Sequence, residues 1–220
     1  MKITVFENPS DGHVLAQGPT WHIITKCQTI LFVSGNSDNF WKEAQNRGIC
    51  VADIDMVFLP KGCQDPIREL EMFLLHNHKA VIYLSRKANE DYLNALYSRF
   101  RGYKDMAKLH RWRKRVVFMD DCVKINDEVR IFTRSSPNKN GTVQKQNMIL
   151  SEDGIQTLFV NNEHGKKETV QKEAEEISGT NMNYMFYQNH NHKDMIKDCI
   201  TEELNEILRG QEVVIGKDEL

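Results

Sequence analysis

Residues 29–59 read TILFVSGNSDNFWKEAQNRGICVADIDMVFL. Apolar runs of strand length open and close this stretch, at 29–33 and 56–59. The second is continuously apolar, the pattern of a buried strand. Between them the spacing changes. Phe40, Trp41, Ala44 and Gln45 recur at helical intervals, Ser37 or Asp38 supplies an N-cap, and Gly48 supplies a C-terminal stop. A strand–helix–strand unit is therefore expected across 29–59.

Strand patterns also occupy 2–6 and 21–25, the latter forming a hairpin with 29–33 around Lys26, Cys27 and Gln28. Pro9, Asp11 and Gly12 mark a turn. Downstream, 60–66 reads as a loop, 67–76 as a helix, 79–84 as a buried strand and 89–100 as an amphipathic helix. Two further strands, 116–119 and 129–133, flank the polar turn Asn126, Asp127, Glu128. The stretch 135–141, rich in Ser, Pro and Asn, reads as the clearest loop and divides the chain into two halves of similar content. A hairpin follows at 147–150 and 157–160 around Glu152, Asp153 and Gly154. Then come a helix at 168–177, a strand at 184–187, a helix at 194–208 and a last strand at 212–215. This order suits two sheets packed face to face with helices outside, in a single domain over 1–220.

Composition narrows the classes. The chain has 220 residues, 40% hydrophobic and 27% charged, with a formal net charge of −2. These values exclude collagen-like, disordered and disulfide-scaffold proteins, and the near-neutral balance gives no reason to expect nucleic acid. No apolar stretch approaches the roughly 18 residues of a membrane helix, so no membrane partner is expected. The start, MKITVFENPSDG, reads as a strand and a turn rather than a secretory signal. Cys27, Cys50, Cys63, Cys122 and Cys199 are irregularly spaced, which favours free thiols and a cytoplasmic location. The final Lys217, Asp218, Glu219 and Leu220 spell a retention address that only a secreted chain would use.

The quoted stretch and its continuation resemble the metallo-β-lactamase superfamily. There, a strand reading ILFDTG and a helix precede DID-VVLSHGHYDHTGGL; here the counterparts are ILFVSGNSDNFWKEAQNRGI and ADIDMVFLPKGCQDPIREL. The opening residues, the strands within 115–131, the hairpin within 157–165 and the ending EVVIGKDEL resemble a small bacterial hydrolase subgroup that includes dihydropterin-phosphate synthase-like proteins. The resemblance implies an α/β fold, a four-layer αββα sandwich.

The family's metal motif, H-x-H-x-D-H, falls on Lys61, Cys63, Asp65 and Pro66. Two imidazoles at i and i+2 grip one zinc, and the Asp and last His grip a second metal. Only Asp65 matches. Cys63 is a soft ligand when deprotonated, Pro66 has no side-chain donor, and the ammonium of Lys61 repels a dication. A later family histidine falls at His164, and the last has a loose counterpart at His190 or His192. The resemblance thus implies a degenerate site that has lost its dinuclear zinc, in which Lys61 pairs with Asp65 in place of the metals. The expected function is non-catalytic binding or regulation, with a small-molecule or anionic ligand and no cofactor. The alternative is a hydrolase of a phosphoester or lactone-like substrate, with zinc or another divalent metal on Cys63, Asp65, His164 and His190. The basic run 101–115, with Tyr103, His110 and Trp112 among its charges, reads as a solvated helix face, against the alternative of phosphate or nucleic-acid binding.

Overall fold

The computed structural model describes residues 1–6, 20–33, 44–59, 73–85, 114–119, 122–138, 141–160, 167–187 and 212–214. Within the decisive stretch, β3 (Thr29–Val33) and β4 (Met56–Leu59) pair in parallel, with Ile30 opposite Met56 and Phe32 opposite Phe58. Side chains alternate across a strand. Ile30, Phe32, Met56 and Phe58 join the core between the sheets, while Leu31 and Val57 point to the other face and are buried there too. Burial on both faces explains why β4 is apolar throughout. The helix between them ends as expected. Gly48 adopts φ +67°, its N–H bonds the Gln45 carbonyl at 3.1 Å, and the Ile49 N–H reaches the Ala44 carbonyl at 2.8 Å. That pair of bonds is a Schellman stop, which favours glycine at the left-handed position.

Among the described residues, seven strands form the first sheet, in the order β12 (Glu212–Val214), β1 (Lys2–Phe6), β2 (Thr20–Ile24), β3, β4, β5 (Val81–Ser85) and β6 (Val116–Met119). Strands β3 to β6 are mutually parallel, and the β12–β1, β1–β2 and β2–β3 pairs are antiparallel. Five strands form the second sheet: β11 (Tyr184–Tyr187), β10 (Ile155–Val160), β9 (Gly141–Glu152), β8 (Val129–Asn138) and β7 (Cys122–Lys124). Only the β10–β11 pair is parallel there. The inner faces pack Trp21, Phe32 and Phe58 of the first sheet with Ile131, Met148, Phe159 and Phe186 of the second. Helix α1 (Lys167–Ser178) covers the outer face of the second sheet. Its Val170, Ala174 and Ile177, spaced at one helical face, meet Phe132, Ile149 and Leu158. The architecture is an α/β sandwich of two mixed sheets. No helix among the described residues is long and apolar enough to cross a membrane.

Two sequence expectations need correction. The stretch 135–141 is not a loop between halves. β8 and β9 pair without interruption from Val129↔Leu150 to Asn138↔Gly141, leaving only Lys139 and Asn140 between the strands. Ser, Pro and Asn signal turns on average, but here their backbones pair with β9, and a ladder is invisible in composition. Likewise, Asn126, Asp127 and Glu128 do not join 116–119 to 129–133. The turn joins β8 to the short β7, which the sequence reading missed, and β6 belongs to the other sheet. The Asn126 side chain builds that turn by accepting the Glu128 and Val129 N–H groups at 3.0 and 2.8 Å. The expected helices at 89–100 and 194–208, most of 36–48 and 67–76, and all of the basic run before Lys114 lie outside the described residues.

Candidate functional site

Four phenylalanines define one end of the sandwich. Phe32, Phe58, Phe159 and Phe186 are each the penultimate residue of their strand, in β3, β4, β10 and β11. Their ring centroids lie 4.8 Å (Phe32–Phe58), 6.2 Å (Phe32–Phe159) and 5.0 Å (Phe159–Phe186) apart. The last pair stacks at 10°, and Trp21 closes the cluster 5.0 Å from Phe32 and 5.6 Å from Phe159. Aromatic contacts of this kind add to plain area burial. Because the rings touch across both sheets, the carboxyl ends of all four strands meet along one edge above an aromatic floor. In open α/β sheets the carboxyl ends of the strands are where ligands bind.

The candidate residues follow these strand ends in sequence. Lys61, Cys63, Asp65 and Pro66 come two, four, six and seven residues after Leu59, the last residue of β4. His164 comes four residues after Val160, and His190 and His192 come three and five after Tyr187. The fold therefore gathers the strands that carry them. Lys61, Cys63, Asp65, Pro66, His164, His190 and His192 themselves lie outside the described residues, and so does the expected ion pair of Lys61 with Asp65.

One residue at this edge escaped the sequence reading. The pairing of Phe159 with Met148 places Gln146 just past the end of β10. By strand alternation it shares the inner face of Met148 and Leu150. Gln146 is fully buried, and neither its amide oxygen nor its amide nitrogen has a hydrogen-bond partner. Thr133, directly opposite on β8, carries a buried hydroxyl that is also unpartnered. Each such group costs about 1–3 kcal/mol, so this pair is held at a loss. The available signal was a glutamine in phase with Met148 and Leu150.

The described cysteines are free thiols. Cys27 is held above the usual thiol range by its hydrogen bond to Glu128, and Cys122 by burial. Both therefore stay protonated at neutral pH and are poor nucleophiles or metal ligands. Among the described residues no group of three or more His, Cys, Asp or Glu side chains is placed to hold a metal. One charge of the basic run is structural: the Arg115 guanidinium donates to the Ala80 carbonyl at 2.9 Å and to the Asn77 carbonyl at 2.7 Å.

The arrangement is shared with solved structures. PqqB from Methylobacterium extorquens, in a zinc-bound form, superposes with a TM-score of 0.55 at 10% identity, over 86% of this chain and 72% of that one. The short form of human tRNase Z gives 0.52 at 11% identity, over 84% and 77%. The metallo-β-lactamase fold protein YhfI from Bacillus subtilis gives 0.51 at 12% identity, over 84% and 69%. No protein-family model and no curated protein matches the sequence. At these identities it is the fold that is held in common. From its two mixed sheets, its gathered strand ends and these superpositions, the chain has the metallo-β-lactamase fold.

Proposed function

We propose that this is a divergent metallo-β-lactamase-fold protein that binds a small ligand at the strand-end edge without a dinuclear zinc centre. The observation that carries this reading is the donor set at the motif positions. Lys61 brings a cation and Pro66 no donor at all to places where two histidines would be needed. That set does not fit the family's metals, and no catalytic step is assigned through them. The buried, unpartnered amide of Gln146 supports a ligand role, since a ligand reaching the floor would supply the missing bonds. A small anionic ligand is the class in view, because Lys61 brings a positive charge to the motif. A cytoplasmic setting belongs to the same reading and is supported by the free thiols of Cys27, Cys50 and Cys122.

A second reading has its own support. The PqqB structure holds zinc, and Cys63, Asp65, His164 and His190 together would offer thiolate, carboxylate and two imidazoles, an acceptable set for one metal. In that case the protein hydrolyses a phosphoester or lactone-like substrate. Elemental analysis of the purified chain after dialysis separates the two. Well under one equivalent of zinc, manganese or iron per chain is expected; a stoichiometric metal would establish the second reading instead.

A further inference from the structure

The aromatic floor continues one strand beyond Phe58. Tyr83 of β5 is the register partner of Phe58 in the parallel β4–β5 pair, so the two rings stand on the same face. Tyr83 is partly buried and packs against the core between the sheets. Burial raises its phenol above the usual range, so the side chain is neutral at pH 7. β5 also contacts β9, the strand that carries Gln146, across the sandwich. The edge thus combines a run of flat rings, Phe159, Phe32, Phe58 and Tyr83, with one primary amide, that of Gln146 in the second sheet.

The state of that amide is specific. Gln146 is in phase with Met148, the register partner of Phe159, and stands opposite Thr133. It has no solvent exposure, and its Oε1 and Nε2 are both without a hydrogen-bond partner. The hydroxyl of Thr133 is buried and unpartnered as well. Met148 and Leu150 occupy the same face of β9, and a methionine would fill the place of Gln146 with no polar cost. A side-chain amide offers a donor and an acceptor side by side in one plane. Its full complement is a second planar edge of the opposite order, an N–H beside a C=O or a ring nitrogen. A glutamine bridges two adjacent atoms of an adenine edge in this way. A carboxylate fails the match, because it has no proton to give to Oε1.

We propose, building on the ligand reading of this edge, that its ligand carries a flat heteroaromatic ring with a lactam edge, an N–H adjacent to a C=O. The ring N–H donates to Gln146 Oε1, Gln146 Nε2 donates to the ring carbonyl, and the ring lies against the aromatic run, where flat faces pack well. Because Gln146 is closed to solvent, the ring enters by replacing the contacts that close the edge. The pairing is neutral throughout, so it is independent of any anionic group that Lys61 attracts.

2-Pyridone is the probe and 4-pyridone its control. The two isomers share ring, charge and polar groups, but only 2-pyridone has its N–H and C=O adjacent. Each is titrated into the full chain at pH 7 while side-chain amide signals are followed by proton–nitrogen correlation NMR. Gln146 is assigned by triple-resonance experiments, so the comparison needs no variant. 2-Pyridone is expected to shift the Gln146 amide signals saturably. 4-Pyridone is expected to bind roughly tenfold more weakly, the worth of one net hydrogen bond. Gln146→Met is expected to lose the preference between the isomers. An unmoved Gln146 amide at the highest soluble concentration of 2-pyridone, or equal binding of the two isomers, would overturn the proposal. The metal content of the same sample keeps this outcome apart from that of the zinc-free reading. Stoichiometric metal together with a 2-pyridone-selective shift at Gln146 would overturn the zinc-free reading and support the lactam pairing. No metal together with an unmoved amide would overturn the lactam pairing alone.

Discussion

The two ends of the sandwich are built on opposite principles. At the end opposite the aromatic floor, turns of the two sheets are tied together by side chains. Thr25 donates its hydroxyl to Glu128 at 2.6 Å, the Lys26 N–H bonds Glu152 at 2.6 Å, and the Lys26 ammonium pairs with Asp153 at 2.5 Å. The amino terminus forms a buried ion pair with the same Glu152. Nearby, Asp55 accepts the Thr29 N–H at 2.8 Å and the Lys79 ammonium at 2.6 Å. At the strand-end edge, by contrast, Gln146 and Thr133 lie buried without partners above the same core. Among the described residues, the polar groups named at one end bond one another, and those named at the other are buried without partners. The comparison implies that polar side chains at the two ends respond to removal with opposite sign.

The largest expected effect is at Asn77. It is fully buried, and its amide nitrogen donates to the Val51 and Ile54 carbonyls, both at 2.8 Å. Its oxygen accepts the Ala80 and Lys79 N–H groups at 2.7 and 3.0 Å and Arg115 at 2.9 Å. Asn77→Ala strands all of these groups in a buried site and should cost about 3–5 kcal/mol. The check is the shift of the denaturant midpoint at constant slope.

Next is the pH dependence set by His22. Its folded pKa of about 4 lies below the ordinary 6.5. Between those values the unfolded chain binds the extra proton, so stability rises with pH across that window. Acidification from about pH 7 to 4 should therefore remove up to about 3 kcal/mol, and His22→Phe should flatten that part of the curve. An unchanged slope in the variant would contradict the neutral, buried imidazole.

The smallest effect has the opposite sign and bears most directly on the contrast. Gln146→Met keeps the volume and removes the unpartnered amide, so it should stabilise the unliganded fold by about 1–2 kcal/mol. A loss of stability on calorimetry would mean that Gln146 is satisfied and that the two ends do not differ.

How much of this was legible depended on how local each signal was. Gly48 was readable because a positive φ is a local requirement, and so was the β9–β10 turn, where Asp153 and Gly154 adopt φ 52° and 81°. That β4 is a buried strand was readable from its unbroken apolar run. The β8–β9 ribbon was not readable, because pairing with a partner strand overrides the turn preference of Ser, Pro and Asn. β7 was too short at three residues to show any period. Gln146 looked like an ordinary polar residue until the register placed it past the end of β10. The strand ends that gather the candidate residues were legible through the resemblance at 29–70, while the side chains of Lys61, Cys63, Asp65 and Pro66 stand outside what the structure describes.

The central claim is that the strand-end edge lacks a zinc centre because of specific residues at the motif positions. It is tested most directly by zinc titration against a competing chromophoric chelator, comparing the wild-type chain, Lys61→Ala and the triple variant Lys61→His, Cys63→His, Pro66→His. Tight zinc binding is expected in the triple variant only, because restoring the missing imidazoles requires all three changes together. Equally tight binding by the wild-type chain, or by Lys61→Ala alone, would contradict the claim.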